Sequence, residues 1–500
     1  MKNDAFSLFR NISIFFSEGG HFSEIFSLIG VDSICIYGMG EMGTILLNDL
    51  RSYGTLKILA TFDRKNNKTY DELIRYGCPI VVTPIGHYEE IRKILIEEGI
   101  DGKRIISLAQ IFSLYFYLRK CHITNFSLGN SKEFLIVGAN FDNKGSEAMT
   151  FVTIKELRRR YNNCAIWFCP NFWDTIYEKR NYRMIVLEDG REKGSVCSEI
   201  IPRLTGIIDV SGYCVSSERG FGDTERTLNY IKMAYEFNIP YYFMPQSFGP
   251  LDYPKYKLAE MKELFSYAKV VYAREDEGKK ILEKVLGLSN VSLSADMVLQ
   301  CPDLKTRDVY LDINENKKKE CCIASGGVAI VPNSNLLRYH SVEELVNMYF
   351  EIIDYLLSFG KKVYIVSHSN ESAIIHDLKA RYDGNESVIV LDYLYDCFAF
   401  SETIQHADFV ISSRYHALAH AYKLFIPCIA IGWSSKYNGL MRIMGQEDYL
   451  YDIREKIDIS KICRMIDKLE TKKDVDLNII REKMRDIQSE NCFAIFDDPK

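Results

Sequence analysis

The segment "VISSRYHALAHAYKLF" runs from Val410 to Phe425. Its first part is a short apolar run. Its second part repeats apolar residues at helical spacing, so the segment predicts a buried strand handing over to a buried helix. Arg414 and His416 stand at the hand-over, and His420 follows one turn later. If Tyr415 opens the helix, Arg414 lies in the loop at the carboxyl end of the strand and His416 in the first helical turn. Backbone N–H groups and the helix dipole favour an anion there. The rigid fork of arginine suits carboxylate and phosphate. Histidine exchanges protons near neutrality. The plainer alternative is an arginine paired with Asp408 and a histidine satisfied by a carbonyl. A zincin helix would need glutamate where Ala417 stands, so His416 and His420 are not read as a metal pair. His420, deeper among small apolar residues, is expected to be structural.

Around this segment, strand and helix signals alternate in three blocks, which implies parallel βαβ units. The first contains "SICIY", "LKILATFDR", "CPIVVTP" and "RIISL" as strands. The second contains "EFLIVGAN", "CAIWFC", "GIIDVSG", "PYYFMPQ", "KVVYARE" and "VSLSADM". Its first helix, "SEAMTFVTIKELRRRY", has Ser146 as candidate cap. A charged stretch, Asp303 to Glu320, is the linker candidate. The third block holds "GVAIVPN", "KKVYIVSH", "SVIVLD", "DFVISS" and "PCIAIG", and the last 40 or so residues read as helical. The division is 1–128, 129–315 and 316–500. Two Rossmann-like domains facing each other, preceded by a smaller Rossmann-like domain, are the expected α/β architecture. Ligands of such sheets bind beyond the carboxyl ends of the strands.

Composition supports a folded chain of 500 residues with 47% hydrophobic and 26% charged residues. A net charge of −6 gives no global basic field for nucleic acid. The 14 cysteines are scattered without a Cys-x-x-Cys pair, which argues against structural zinc and for a reducing compartment. No apolar run reaches the ~18–20 residues of a membrane span. The N-terminal stretch "MKNDAFSLFRNISIFFSEGGHF" lacks a signal-peptide core. Its phenylalanines suit docking of a helix on the protein better than on a membrane. A cytoplasmic location follows, with peripheral attachment at the inner face of the membrane left open.

Other strand ends carry polar residues. "YGMGEMG" sets Gly38, Gly40 and Gly43 in a G-x-G-x-x-G turn, with Asp63 ending the next strand. That pattern admits a nucleotide or nucleotide sugar, and equally a turn that only packs helix on strand. The first block also resembles, through "GMGEMG", "FDRK" and "GCPIVVTP", the N-terminal Rossmann-like domain of bacterial sugar acyltransferases, which favours a nucleotide sugar over NAD. "VGANFDNKGSEAM" brings Asn140 to a helix start. "MPQSFGPL" places Gln246 and Ser247 just after a strand, and "YAREDEG" places Arg274 after another. An arginine beside acids is more often a salt bridge.

In order along the chain, "GANFDNKGSEAM", "DVSGY", "PQSFGP", "AREDEG" followed by "LG", "SADMVL" and "ADFVISSRYHALAHAYKLFIPCIAIGWSSKYNGLMRIMG" resemble the polysaccharide pyruvyl transferase family from about Lys132 to Asp452. One departure is "DVSGY", where the family commonly has a run of glycines. The resemblance implies a glycosyltransferase-B-like pair of domains with the site in the cleft. It implies transfer of the pyruvyl unit of phosphoenolpyruvate to a sugar of a surface polysaccharide, such as capsule or exopolysaccharide, or its precursor. A ketal forms and phosphate leaves. Arg414 and His416 fall on the family's Arg-x-His, and Arg274 on its other strand-end arginine.

The donor carries carboxylate and phosphate, so at least two cations must meet it; Arg274, Arg414 and Lys436 are the candidates. Asn140, Gln246 and Ser247 are further substrate-binding candidates. His416 is the expected general acid/base, with Arg414 holding the donor against it. No cofactor and no metal are expected. The acceptor is a lipid-linked, nucleotide-linked or polymeric sugar, and a nucleotide sugar is a further candidate at the N-terminal domain. The alternative is a glycosyltransferase of the same fold using a nucleotide sugar, although "SSRYHALAHA" lacks the local acid such sites use for ribose. A non-catalytic assembly protein is the third reading.

Overall fold

A computed structural model describes residues 12–66, 69–172, 177, 180–187, 200–311, 322–369, 372–394 and 396–497. Three sheets follow one another along the chain. The first is built from β1 (Ser33–Tyr37), β2 (Lys57–Phe62), β3 (Ile80–Val82) and β4 (Ile105–Ser107), in the order β2-β1-β3-β4. The second contains β5 (Glu133–Val137), β6 (Ala165–Cys169), β7 (Ile185–Val186), β8 (Gly206–Asp209), β9 (Tyr241–Gln246), β10 (Val270–Ala273) and β11 (Val291–Leu293). Its order is β11-β10-β9-β8-β5-β6-β7. The third contains β12 (Val328–Val331), β13 (Val363–Val366), β14 (Val388–Leu391), β15 (Phe409–Ser412), β16 (Cys428–Gly432) and β17 (Leu450–Asp452), in the order β14-β13-β12-β15-β16-β17.

Every strand pairing in these sheets is parallel. That is why the central strands are continuous apolar runs: helices cover both faces, so β5, β6, β12 and β15 are buried at every position. The short strands β7 and β17 are absent from the sequence reading. Two or three residues at a sheet edge carry no period of their own.

In each sheet the chain starts in the middle, runs outward, then returns to the other side. The strand order therefore reverses between β1 and β3, between β5 and β8, and between β12 and β15. A reversal leaves a crevice at the carboxyl ends, because the two following loops diverge. Helix Lys144–Arg160 starts in one such loop. Its cap is Asn143, whose Oδ1 accepts the Gly145 N–H at 3.0 Å, and not Ser146. Spacing alone points to Ser146 because the start of the helix, Lys144 and Gly145, has no apolar period.

The described part of the N-terminal stretch docks on the protein. Phe15 is buried, 5.3 Å between ring centres from Tyr115 of helix Leu108–Lys120, and the Phe16 ring lies tilted 4.9 Å from that of Phe22. Positions 1–11 of that stretch, and 312–320 of the linker candidate, lie outside the described residues. The long helix Ile459–Ser489 buries Ile462, Ile466, Leu469, Ile480 and Met484 in the core of the third block. The chain then crosses back. Phe496 sits 4.6 Å from the Tyr242 ring and 5.9 Å from Phe134, in the core of the second block. No helix among the described residues is long and apolar enough to cross a membrane.

The glycine turn after β1 fastens helix Glu41–Tyr53 to its sheet. A Cβ on Gly43 would lie 1.9 Å from the Gly38 carbonyl oxygen, and Gly38 itself has φ +93° with Pro84 packed against it. Asp63 accepts the Met39 N–H at 3.0 Å and the Lys65 N–H at 3.0 Å. Gly40 is the N-cap residue of that helix, with extended backbone. Gly43→Ala should therefore lower stability by about 1–3 kcal/mol through overpacking. A urea titration of the full chain reads this, and an unchanged midpoint would show that the turn is not under this constraint.

Candidate active site

The carboxyl ends of the second and third sheets face each other across a cavity of about 370 Å³. Both reversal points open into it. The second sheet contributes Asn140 and Asp142 after β5, and Ser211, Gly212 and Tyr213 after β8. The third contributes Asn333 and Asn335 after β12, Arg414 and His416 after β15, and Lys436 after β16. Five cations line the space, Arg219, Arg226, Arg274, Arg414 and Lys436, against the carboxylates of Asp142 and Asp223.

His416 belongs to the third block but is held by the second. Its Nε2 is 3.4 Å from Asp296 Oδ2. On another side the backbone of helix Lys144–Arg160 comes so close that a Cβ on Gly145 would fall 2.2 Å from His416 Nδ1. Only a residue without a side chain allows this approach. Burial lowers the His416 pKa below its ordinary value, Asp296 opposes that shift, and Arg274 and Lys436 add to it. The net direction is downward, so the imidazole is neutral at pH 7 with a carboxylate ready to receive its charged form. The plainer pairing of Arg414 with Asp408 does not occur: Asp408 precedes the other end of β15 and pairs with Lys361 at 2.6 Å and with Lys473.

Arg274 is buried behind the histidine. It donates to Asp296 Oδ2 from Nη1 at 2.7 Å, and from Nε to Ser247 Oγ at 2.9 Å and Glu275 Oε1 at 3.1 Å. Its guanidinium lies 3.7 Å from the Tyr415 ring centre. Ser247 and Gln246 stand behind the cavity wall. Ser247 donates to Glu275 at 2.6 Å, and Gln246 donates to Asp209 at 3.4 Å. Asn140 does line the cavity, and its Oδ1 accepts a hydrogen bond from the Tyr177 hydroxyl at 3.0 Å. His420 is buried outside the lining, with Nδ1 2.8 Å from the Ser401 hydroxyl.

Lys436 sits among aromatic rings. Its ammonium is 4.5 Å from the Tyr213 and Trp433 ring centres and 5.4 Å from that of Tyr437, and it forms no salt bridge among the described residues. Burial pushes its pKa well below the ordinary lysine value, and Arg274 and Arg219 push the same way. An incoming anion would reverse that shift. Arg219 and Arg226 share Asp223, at 3.0 and 3.2 Å.

Sequence reasoning had singled out neither arginine, nor His368, Trp433 or Asp296. Only Asp296 carried a signal, as the acid just after a strand in "SADM". Residues Gly38, Gly40, Gly43 and Asp63 lie in the first block and are not part of this lining.

Glu147, in the first turn of helix Lys144–Arg160, ties the two halves together. It accepts from Arg180 Nη1 at 3.0 Å and from the Cys397 N–H of the third block at 2.8 Å. Lys144 Nζ is 3.9 Å away. Burial raises the Glu147 pKa to about 7 against the pull of Lys144 and Arg180, and Asp396 adds to the rise.

Two facing Rossmann-like domains around a cationic cleft define an α/β chain of the glycosyltransferase-B type. Residues 143–435, more than half of the chain, match the family model for polysaccharide pyruvyl transferase, and the chain belongs to that family, a family of transferases. No curated protein matches it. Among solved structures it is similar to UDP-GlcNAc 2-epimerase from Methanocaldococcus jannaschii, with 12% identity, TM-score 0.46, and coverage of 67% of this chain and 92% of that one. UDP-GlcNAc 2-epimerase from Neisseria meningitidis, bound to UDP-GlcNAc, gives 12%, 0.46, 73% and 98%. A glycosyltransferase from Rickettsia africae gives 12%, 0.44, 72% and 93%.

The burial of Glu147 sets a pH dependence. The unfolded chain ionises this group near 4.5, the folded chain near 7. Between those values the folded state holds the extra proton, so stability falls as pH rises, by on the order of 3 kcal/mol in all. Glu147→Gln should flatten this slope between pH 4.5 and 7 in urea titrations. An unaltered slope would place the titrating group elsewhere.

Proposed function

We propose that the chain moves the pyruvyl unit of phosphoenolpyruvate onto a sugar of a surface polysaccharide or its precursor. The observation that supports this best is the neutral His416 beside Asp296 in a cavity whose lining carries five basic side chains against two carboxylates. The donor's carboxylate and phosphate need two cations, and we assign these roles to Arg414 and Lys436, which both line the cavity. Arg274 acts on Asp296 and Tyr415, so its part is to hold the histidine's partner.

In the first step His416 removes the proton of a sugar hydroxyl, and Asp296 stabilises the resulting imidazolium. The methylene carbon of the donor gains a proton and its neighbouring carbon bonds the sugar oxygen. The carbon–oxygen bond to phosphate then breaks. A second hydroxyl closes the ketal, so the two hydroxyl protons end on the new methyl group and on the released phosphate. No cofactor enters this scheme.

His416→Gln should reduce phosphate release by ~10²-fold or more while the melting temperature stays close to that of the parent. Gly145→Ala should have a comparable effect, because the added methyl displaces the imidazole. Both are read by phosphate release from phosphoenolpyruvate across a panel of sugar acceptors. Near-normal turnover in His416→Gln, or stabilisation by UDP and not by phosphoenolpyruvate, would overturn the reading. Losing Asp296 removes the charge that favours the imidazolium, so Asp296→Asn should move the acid limb of kcat/KM to lower pH. A limb that stays in place would separate Asp296 from the titration.

A further inference from the structure

The first sheet carries two thiols that the transfer chemistry does not use. Cys35 lies on β1, which pairs with β3, and Cys78 lies two residues before β3 begins. Their Sγ atoms are 3.5 Å apart. The Cys35 N–H donates to the Pro79 carbonyl at 2.9 Å, so the two segments are held side by side. Arg104 pins the second segment. Its Nε donates to the Cys78 carbonyl at 3.0 Å, and its Nη2 to the carbonyls of Leu73 at 2.7 Å and Tyr76 at 3.1 Å. The guanidinium is thereby fixed near the Cys78 sulfur.

The two cysteines differ in access. Cys35 is buried, while Cys78 is partly exposed. They also differ in acidity. The contact with the Cys35 sulfur, together with Arg104, lowers the Cys78 pKa to about 7 although burial opposes it. Cys35 is pushed upward by the same contact and by burial. A partly exposed thiol of lowered pKa, with Arg104 donating to its own carbonyl and a second sulfur in contact, has the features of an attacking and a resolving cysteine. Closing the gap from 3.5 Å to a bond of ~2.05 Å asks for ~1.5 Å of sulfur movement.

We propose that Cys78 and Cys35 form a reversible redox site in the N-terminal domain, oxidised by a peroxide to an intramolecular disulfide. The Cys78 sulfur attacks a peroxide oxygen. An S–O bond forms, the O–O bond breaks, and water leaves with hydrogen peroxide as oxidant. Cys78 is then a sulfenic acid. The Cys35 sulfur attacks the Cys78 sulfur, the S–O bond breaks, and the hydroxide leaves as water with the Cys35 proton. Two thiols and one peroxide give one disulfide and two waters. A dithiol reductant returns both thiols. The bond would link β1 to the entry of β3, the two central strands of this sheet.

The test treats the reduced full-length protein with hydrogen peroxide, blocks free thiols and maps peptides without reductant. The expected result is a Cys35–Cys78 peptide pair two hydrogens lighter than the separate peptides, formed by the folded protein and lost on adding dithiothreitol. Cys35→Ser, or Cys35→Ala should the serine variant not fold, should leave a sulfenic acid at Cys78 that dimedone traps. Cys78→Ser should leave Cys35 as a thiol under the same treatment. Oxidation of Cys78 to sulfinic acid in the parent protein without the linked pair would overturn the proposal. So would a linked pair that forms only in urea.

Discussion

Asp296 Oδ2 stands between two basic side chains from different halves of the molecule, the Arg274 guanidinium at 2.7 Å and the His416 imidazole at 3.4 Å. Burial would raise its pKa, yet His416 and Arg274, with the Val298 N–H, hold the carboxylate far below its usual range. A buried charge is tolerated only when paired and hydrogen-bonded. That requirement brings β11 of the second sheet to the helix after β15 of the third, and makes the imidazole part of a composite site. Remove the pairing and the carboxylate is left uncompensated in the cleft.

The remaining contacts between the halves serve the same closure. Gly145 lets a helix start touch the imidazole, and the Lys144 N–H donates to the His368 carbonyl at 3.3 Å. Arg442 of the third block donates to Glu277 of the second at 2.8 Å. The residues after Ser489 return to the second block, where Glu490 accepts the Ala295 N–H at 2.9 Å, next to Asp296. The terminal strap is thus attached to the segment that carries the central carboxylate. A cavity made by two sheets keeps its shape only if both are held in register, and these contacts do that.

The first block uses the same topology around a tightly packed turn. Its order also reverses, between β1 and β3, but Thr83 donates to the Gly38 carbonyl at 2.6 Å and Pro84 packs on Gly38. Asp63, legible as a ribose ligand by spacing, binds the backbone of the turn. The G-x-G-x-x-G pattern reports a close approach of helix and strand.

Much of the architecture was legible because its causes are local. Apolar runs such as "VVYA" and "CIAIG" must be buried on both faces, and the residues that end them fall at the carboxyl edge. Thus Arg414, His416 and Lys436 could be placed at a ligand-facing edge from their position after a strand. The roles within that edge were not legible. Arg274 looked like a donor-binding cation and is engaged by Asp296 and Glu275. Gln246 and Ser247 share the same strand end as the lining but point behind it. Asp296, Glu147, Arg219 and Arg226 gain their meaning from partners far away in the chain. By itself the sequence determined which residues reach the mouths of the sheets, since backbone pairing and burial act over a few neighbours. Only the tertiary structure decided which of them share the cavity, because charge pairing and close packing act through space between elements the sequence does not place together.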